Sequence, residues 1–174
     1  MNIRTFLLLS VFIIFVASCI QPPEYSNTPE IQYVGINKQE IVQGSGRNQD
    51  ELIVEFSYTD GDGNIGARQD SLMQNSFFNN IVFIDNRTGL ETFNGVPTIP
   101  RQGVGSGISG VISVKIPTEL QGVCCIYDDK DGEDPCTPST TFPTDTFTYT
   151  IYIIDQDFNE SNRIETEPIV VLCQ

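Results

Sequence analysis

The chain has 174 residues, which suits a single domain, and it carries 23 acidic against 9 basic side chains, a formal net charge of −14. That charge excludes generic binding to nucleic acids, which depends on Lys and Arg contacts to phosphate. The chain has no histidine, so it lacks the commonest general base, the usual zinc ligand and every Ser-His or Cys-His nucleophile pair.

Residues 1–18 have the layout of a secretory signal peptide. Arg4 supplies a positive charge, and residues 6–16 form an apolar run that is shorter than the roughly 20 residues needed to span a bilayer. The sequence Val16-Ala17-Ser18-Cys19 closely resembles the lipobox of bacterial lipoproteins. This resemblance implies cleavage before Cys19, which then carries diacylglycerol and palmitate chains as a stable membrane anchor. An ordinary secretory signal that happens to meet a cysteine is the alternative.

The segment after this cysteine predicts a tether. Residues 20–29 contain three prolines and few apolar side chains. Such a composition favours an extended, semi-rigid linker between lipid and domain. We therefore expect a lipidated tether over 19–29 and one folded domain over 30–174.

Period-2 alternation dominates the rest of the chain and predicts strands. The clearest case is 51–59, in which Leu52, Val54, Phe56 and Tyr58 share one face. The predicted strands cover 30–38, 51–59, 80–86, 108–116, 145–155 and 163–173, with a short one near 91–94. Turn-rich clusters separate them, and no long window has helical periodicity. The pattern predicts an antiparallel β-sandwich of about seven strands, immunoglobulin-like or fibronectin-III-like, with a small β-barrel as the alternative.

Two acidic segments follow strands that end at the same pole of such a sandwich. Each has the spacing D-x-D-x-N, and their oxygen-bearing side chains are those of Asp60, Asp62, Asn64, Asp155, Asp157 and Asn159. Calcium takes six to eight oxygen ligands, so two facing half-sites predict a calcium site. Ile65 stands where an EF-hand loop requires glycine, so the site is not an EF-hand. Ordinary turn chemistry of Asp, Asn and Gly is the alternative.

Four cysteines remain beyond Cys19, and the sandwich model gathers them at the opposite pole: Cys124, Cys125, Cys136 and Cys173. An even number in an exported protein predicts disulfides. Adjacent cysteines rarely bond to each other. Two pairings stay open, either 124–136 with 125–173 or 125–136 with 124–173. A four-cysteine zinc site is the alternative, although the spacing lacks a clean C-x₂-C pair.

The segments 56–66 and 153–162 resemble motifs of immunoglobulin-like lipoproteins of Bacteroidota. No activity is established for that family, so the resemblance implies none for this chain. Surface-exported lipoproteins of the phylum often have an acidic or Lys-acidic run just after the lipid cysteine, and residues 20–24 depart from this pattern. The resemblance therefore implies the cell envelope, with the periplasmic face of the outer membrane as the expected location.

The expected function is that of a non-enzymatic envelope lipoprotein, held at the membrane by its lipid, that binds a protein or glycan partner or scaffolds a complex. Exposed aromatic side chains would favour a glycan, and the candidates are Phe77, Phe78, Phe93 and Phe158. A glycoside hydrolase that uses two carboxylates is the alternative. No nucleophile or metalloprotease motif occurs in the sequence.

Overall fold

The computed structural model describes residues 23–44, 50–66, 79–97, 99, 107–118, 123–127 and 136–174. The signal, the Val16–Cys19 motif, Phe77 and Phe78 lie outside these residues. The strands are β1 (Glu30–Ile36), β2 (Glu40–Val42), β3 (Glu51–Asp60), β4 (Ile81–Asp85), β5 (Glu91–Asn94), β6 (Ile108–Pro117), β7 (Thr144–Phe147), β8 (Tyr149–Ile153), β9 (Ile164–Glu165) and β10 (Ile169–Leu172).

One layer of the fold is the antiparallel sheet β1-β3-β6. Its central strand, β3, buries Leu52, Val54, Phe56 and Tyr58, while its intervening residues are only partly covered. Burial on one face alone is what the period-2 pattern predicts, because successive side chains point to opposite faces of a strand. This layer therefore supplies one side of the core.

The second layer consists of the sheets β5-β4-β8-β9 and β2-β10-β7. They are continuous along the chain, since β7 and β8 are separated only by Thr148. Thr166 bridges the corresponding break between β9 and β10: its N–H donates to the Tyr149 carbonyl over 2.9 Å and its hydroxyl accepts from the Tyr149 N–H over 3.0 Å. β2 runs parallel to β10, and the other pairs are antiparallel.

The two layers enclose one apolar core, and no sheet of the described residues closes into a barrel. The predicted antiparallel β-sandwich is confirmed. The segment near 91–94 is a strand, as expected, but β5 pairs with β4 and so joins the second layer. The tight turn between them, with Gly89 at φ 70°, folds the chain directly back on itself.

The pole at which β4 and β10 end is called the disulfide end, since it holds both bridges. Cys124 bonds to Cys136 with their Cα atoms 4.7 Å apart, and Cys125 bonds to Cys173 at 5.8 Å. The structure thus selects the first of the two predicted pairings. All four thiols are used, so no thiolate is left for a zinc site.

A buried ionic cluster sits beside these bridges. The Arg87 guanidinium contacts the Asp85 carboxylate at 2.6 Å and the Asp145 carboxylate at 2.5 Å. It also donates to the Cys124 carbonyl over 3.2 Å and lies 4.2 Å from the centroid of the Phe147 ring. A single cation therefore joins the β4–β5 turn, the start of β7 and the disulfide-bonded segment.

Candidate cation site

The opposite pole, called the loop end, brings together the two acidic segments at 60–66 and 155–159. The Asn64 side-chain amide donates to the Asp157 carboxylate over 3.0 Å. The Gln156 N–H donates to the Asn64 carbonyl over 3.2 Å. The predicted facing of the two loops is confirmed, because β3 and β8 both end at this pole.

The first loop is a tight turn around the last residue of β3. Asp60 is fully buried, and one of its carboxylate oxygens, Oδ2, accepts the N–H of Asn64 over 2.9 Å. Gly63 adopts φ 71°, in the left-handed region that glycine enters without strain. The D-x-D-G-N sequence folds back on itself for these local reasons.

Three oxygens of this turn have no hydrogen-bond partner although they are buried: Asp60 Oδ1, Asp62 Oδ1 and Asn64 Oδ1. All three carry only lone pairs when the carboxylates are ionised, so they need a proton or a cation. An unsatisfied buried acceptor costs about 1–3 kcal/mol. The other unpartnered buried side-chain atoms among the described residues are amide nitrogens, those of Gln43, Asn80 and Asn94. Unpaired oxygens are therefore concentrated in this one turn, and they are of the type that calcium prefers.

The second loop uses its polar side chains differently. Asp155 is fully buried, and its Oδ1 accepts the N–H groups of Asp157 and Asn159, each over 2.8 Å. Its Oδ2 accepts the Asn159 side-chain amide, also over 2.8 Å. These bonds hold the turn in shape, so in this geometry Asp155 and Asn159 support the site, while Asp157 contacts it through Asn64.

The pKa of Asp60 is raised to about 6, first by burial and then by the nearby Asp62 and Asp155 carboxylates. The N–H of Asn64 opposes this rise but does not cancel it. Ionisation of Asp60 is thus less favourable in the folded protein than in water, and a bound cation would make it more favourable. The described ranges contain no group of three or more His, Cys, Asp or Glu side chains that could hold a metal ion. The candidate ligands at the loop end are instead the carboxylates of Asp60 and Asp62 and the amide oxygen of Asn64.

As the pH rises from about 4 to about 6, the free energy of unfolding of the calcium-free protein should fall by at most about 3 kcal/mol through Asp60. The sign follows because the folded state holds this proton up to about pH 6, whereas the unfolded chain releases it near its ordinary pKa of 3.8. Denaturant unfolding in calcium-free buffers across this range measures the slope. Asp60→Asn should remove this component of the slope, and an identical profile in the variant would contradict the assignment.

One contact at the loop end is not predicted by the sequence pattern. Tyr25 to Asn27, expected in the tether, pack against the first loop: the Gly61 N–H donates to the Ser26 carbonyl over 2.7 Å. A Cβ at Gly61 would collide with the Tyr25 carbonyl oxygen, so only glycine permits this approach. The contact is made by backbone, which leaves no periodic signal in the residue types.

No known protein family, curated protein or solved structure matches this chain. The part of the chain that the structure describes contains no helix long and apolar enough to cross a membrane.

Proposed function

We propose that this protein is a non-enzymatic, lipid-anchored envelope module, an immunoglobulin-like sandwich that binds or scaffolds a partner and whose loop end binds calcium. The lipobox-like Val16–Cys19 motif supports the anchor. The observation that carries the cation site is the group of unpartnered buried oxygens on Asp60, Asp62 and Asn64. A bound cation would satisfy all three and remove the repulsion between the two carboxylates.

The glycoside hydrolase alternative receives no support from the groove between the open edges of the two layers. This groove has a volume of about 400 Å³ and is lined by Ile81, Asn94, Gly95, Val96, Pro97, Ile112, Ser113, Val114 and Lys115. None of these side chains is a carboxylate, whereas that chemistry requires a pair of them. The described lining of the groove therefore supplies neither the acid nor the base.

Millimolar calcium is expected to raise the melting temperature of the whole chain, expressed with its own signal and purified in nonionic detergent. Ligand at a hundredfold excess over Kd adds about 2.7 kcal/mol to the folded state. For a domain of this size that corresponds to an increase of roughly 5–10 °C. Circular dichroism melts with calcium and with a chelator measure the shift.

Asp60→Asn separates a cation site from a general effect of salt. The asparagine amide can donate to the free Asp62 oxygen, so the variant should melt at a higher temperature than the native chain in chelator. It should also lose the shift with calcium. Glu40→Gln, a neutralisation of an exposed side chain on β2, is the control and should keep the shift. A native chain that calcium does not stabilise, or an equal shift in Asp60→Asn, would refute the site.

A further inference from the structure

The N-terminal segment reaches the sandwich at the loop end. Ser26 is hydrogen-bonded to Gly61, and a Cβ at Gly107 would lie 3.1 Å from the Tyr25 ring, so the segment is packed closely there. The chain then enters β1, where Glu30 pairs with Thr59 beside the same turn. The point at which the polypeptide leaves the folded domain toward its N-terminus is therefore next to the cation site.

Chain length then limits how far this end can lie from a lipid-anchored Cys19. Tyr25 is six steps along the chain from Cys19, and an extended chain spans at most about 3.6 Å per residue, or about 22 Å in all. An anchored protein thus keeps its loop end close to the bilayer surface. The disulfide end lies at the other end of the strands, of which β3 has ten residues and a length of about 33 Å.

The most exposed large apolar side chain of the described residues projects from this same pole. Phe158 is 78% exposed and lies at the tip of the second loop. Its φ is 67°, a left-handed conformation that is uncommon for a bulky residue. The turn around it is held by the hydrogen bonds of Asp155, including Phe158 N–H to the Asp155 carbonyl over 3.2 Å. Glycine or asparagine would adopt this conformation with less strain, so the turn geometry does not explain why position 158 is a phenylalanine.

We propose that the loop end is a lipid-contacting face, in which Phe158 enters the bilayer interface and calcium offsets the charge of the acidic loops against anionic headgroups. Aromatic side chains favour the membrane–water interface. Asp157 is exposed beside Phe158, and without a cation it would be repelled by an anionic surface. This inference rests on the lipid anchor and the calcium site of the proposed function.

The absence of tryptophan from the whole chain gives a direct test. Phe158→Trp introduces a single fluorophore at the loop tip. Leu90→Trp introduces one at the disulfide end, where Leu90 is 64% exposed, and serves as the matched control. Both full chains, expressed with their own signal, are reconstituted into vesicles of phosphatidylethanolamine and phosphatidylglycerol that contain brominated acyl chains. With calcium, the emission of the Phe158→Trp variant should shift to the blue and be quenched, while the emission of the Leu90→Trp variant stays unchanged.

Flotation of the same vesicles separates failure of the anchor from failure of the lipid face. If neither variant floats, or if Cys19→Ser floats as well as the native chain, the lipid anchor of the proposed function is wrong. If both variants float and Phe158→Trp is quenched no more than Leu90→Trp, the lipid face is overturned while the anchor stands. If the Phe158→Trp variant is still quenched after calcium is chelated, the proposal that calcium is needed for lipid contact is overturned.

Discussion

Arg87→Met is expected to lower the free energy of unfolding by about 3–5 kcal/mol, because it leaves two mostly buried carboxylates facing each other without their cation. Arg87, Asp85 and Asp145 have side chains that are only 14%, 16% and 18% exposed. The substitution keeps most of the apolar volume over the Phe147 ring, so the loss reports the charge and its hydrogen bonds. Denaturant unfolding at neutral pH measures the effect.

Arg163→Met is the matched control for this substitution. Arg163 also lies 4.2 Å from the centroid of an aromatic ring, that of Tyr152, and pairs with Glu160 at 3.4 Å. Arg163 and Glu160 are both half exposed, so water screens the pair and the loss should stay below about 1 kcal/mol. Equal losses in the two variants would show that the buried cluster contributes no more than a surface ion pair.

Removal of the Cys125–Cys173 bridge is the second change with a large expected effect. The double substitution Cys125→Ala with Cys173→Ala should cost about 4 kcal/mol, because the bridge spans 48 residues and restricts the unfolded chain. Both cysteines are buried in the core, so alanine also leaves unfilled space there. Unfolding by denaturant under non-reducing conditions measures the loss.

The second bridge is an internal standard for this prediction. Cys124 and Cys136 are only 12 residues apart, and the same relation between loop length and entropy gives about 3 kcal/mol for Cys124→Ala with Cys136→Ala. The longer bridge should therefore be the more important of the two. A larger loss from the shorter bridge would mean that local packing outweighs the entropy of the unfolded chain.

Most of the strands could be predicted because their cause is local. Leu52, Val54 and Phe56 alternate with less apolar neighbours, and any strand built from that segment must place them on one face. Local alternation could not predict which strand pairs with residues 91–94, because that pairing depends on the turn at Gly89 and on which layer has a free edge. The lipobox interpretation of Val16–Cys19 stays a prediction.

The sequence by itself determined the strand pattern, the acidic turns, the four cysteines beyond Cys19 and the net charge of −14. Only the tertiary structure decided which cysteines pair, that Tyr25 to Asn27 pack on the loop end, and that the free oxygens lie in the first loop rather than in both. The reason is physical: whether a carboxylate oxygen is buried or satisfied depends on groups brought to it from distant parts of the chain. Asp60 ends β3 and Asp155 lies just beyond β8, and each begins a D-x-D-x-N segment, yet Asp155 has both oxygens hydrogen-bonded and Asp60 has only one.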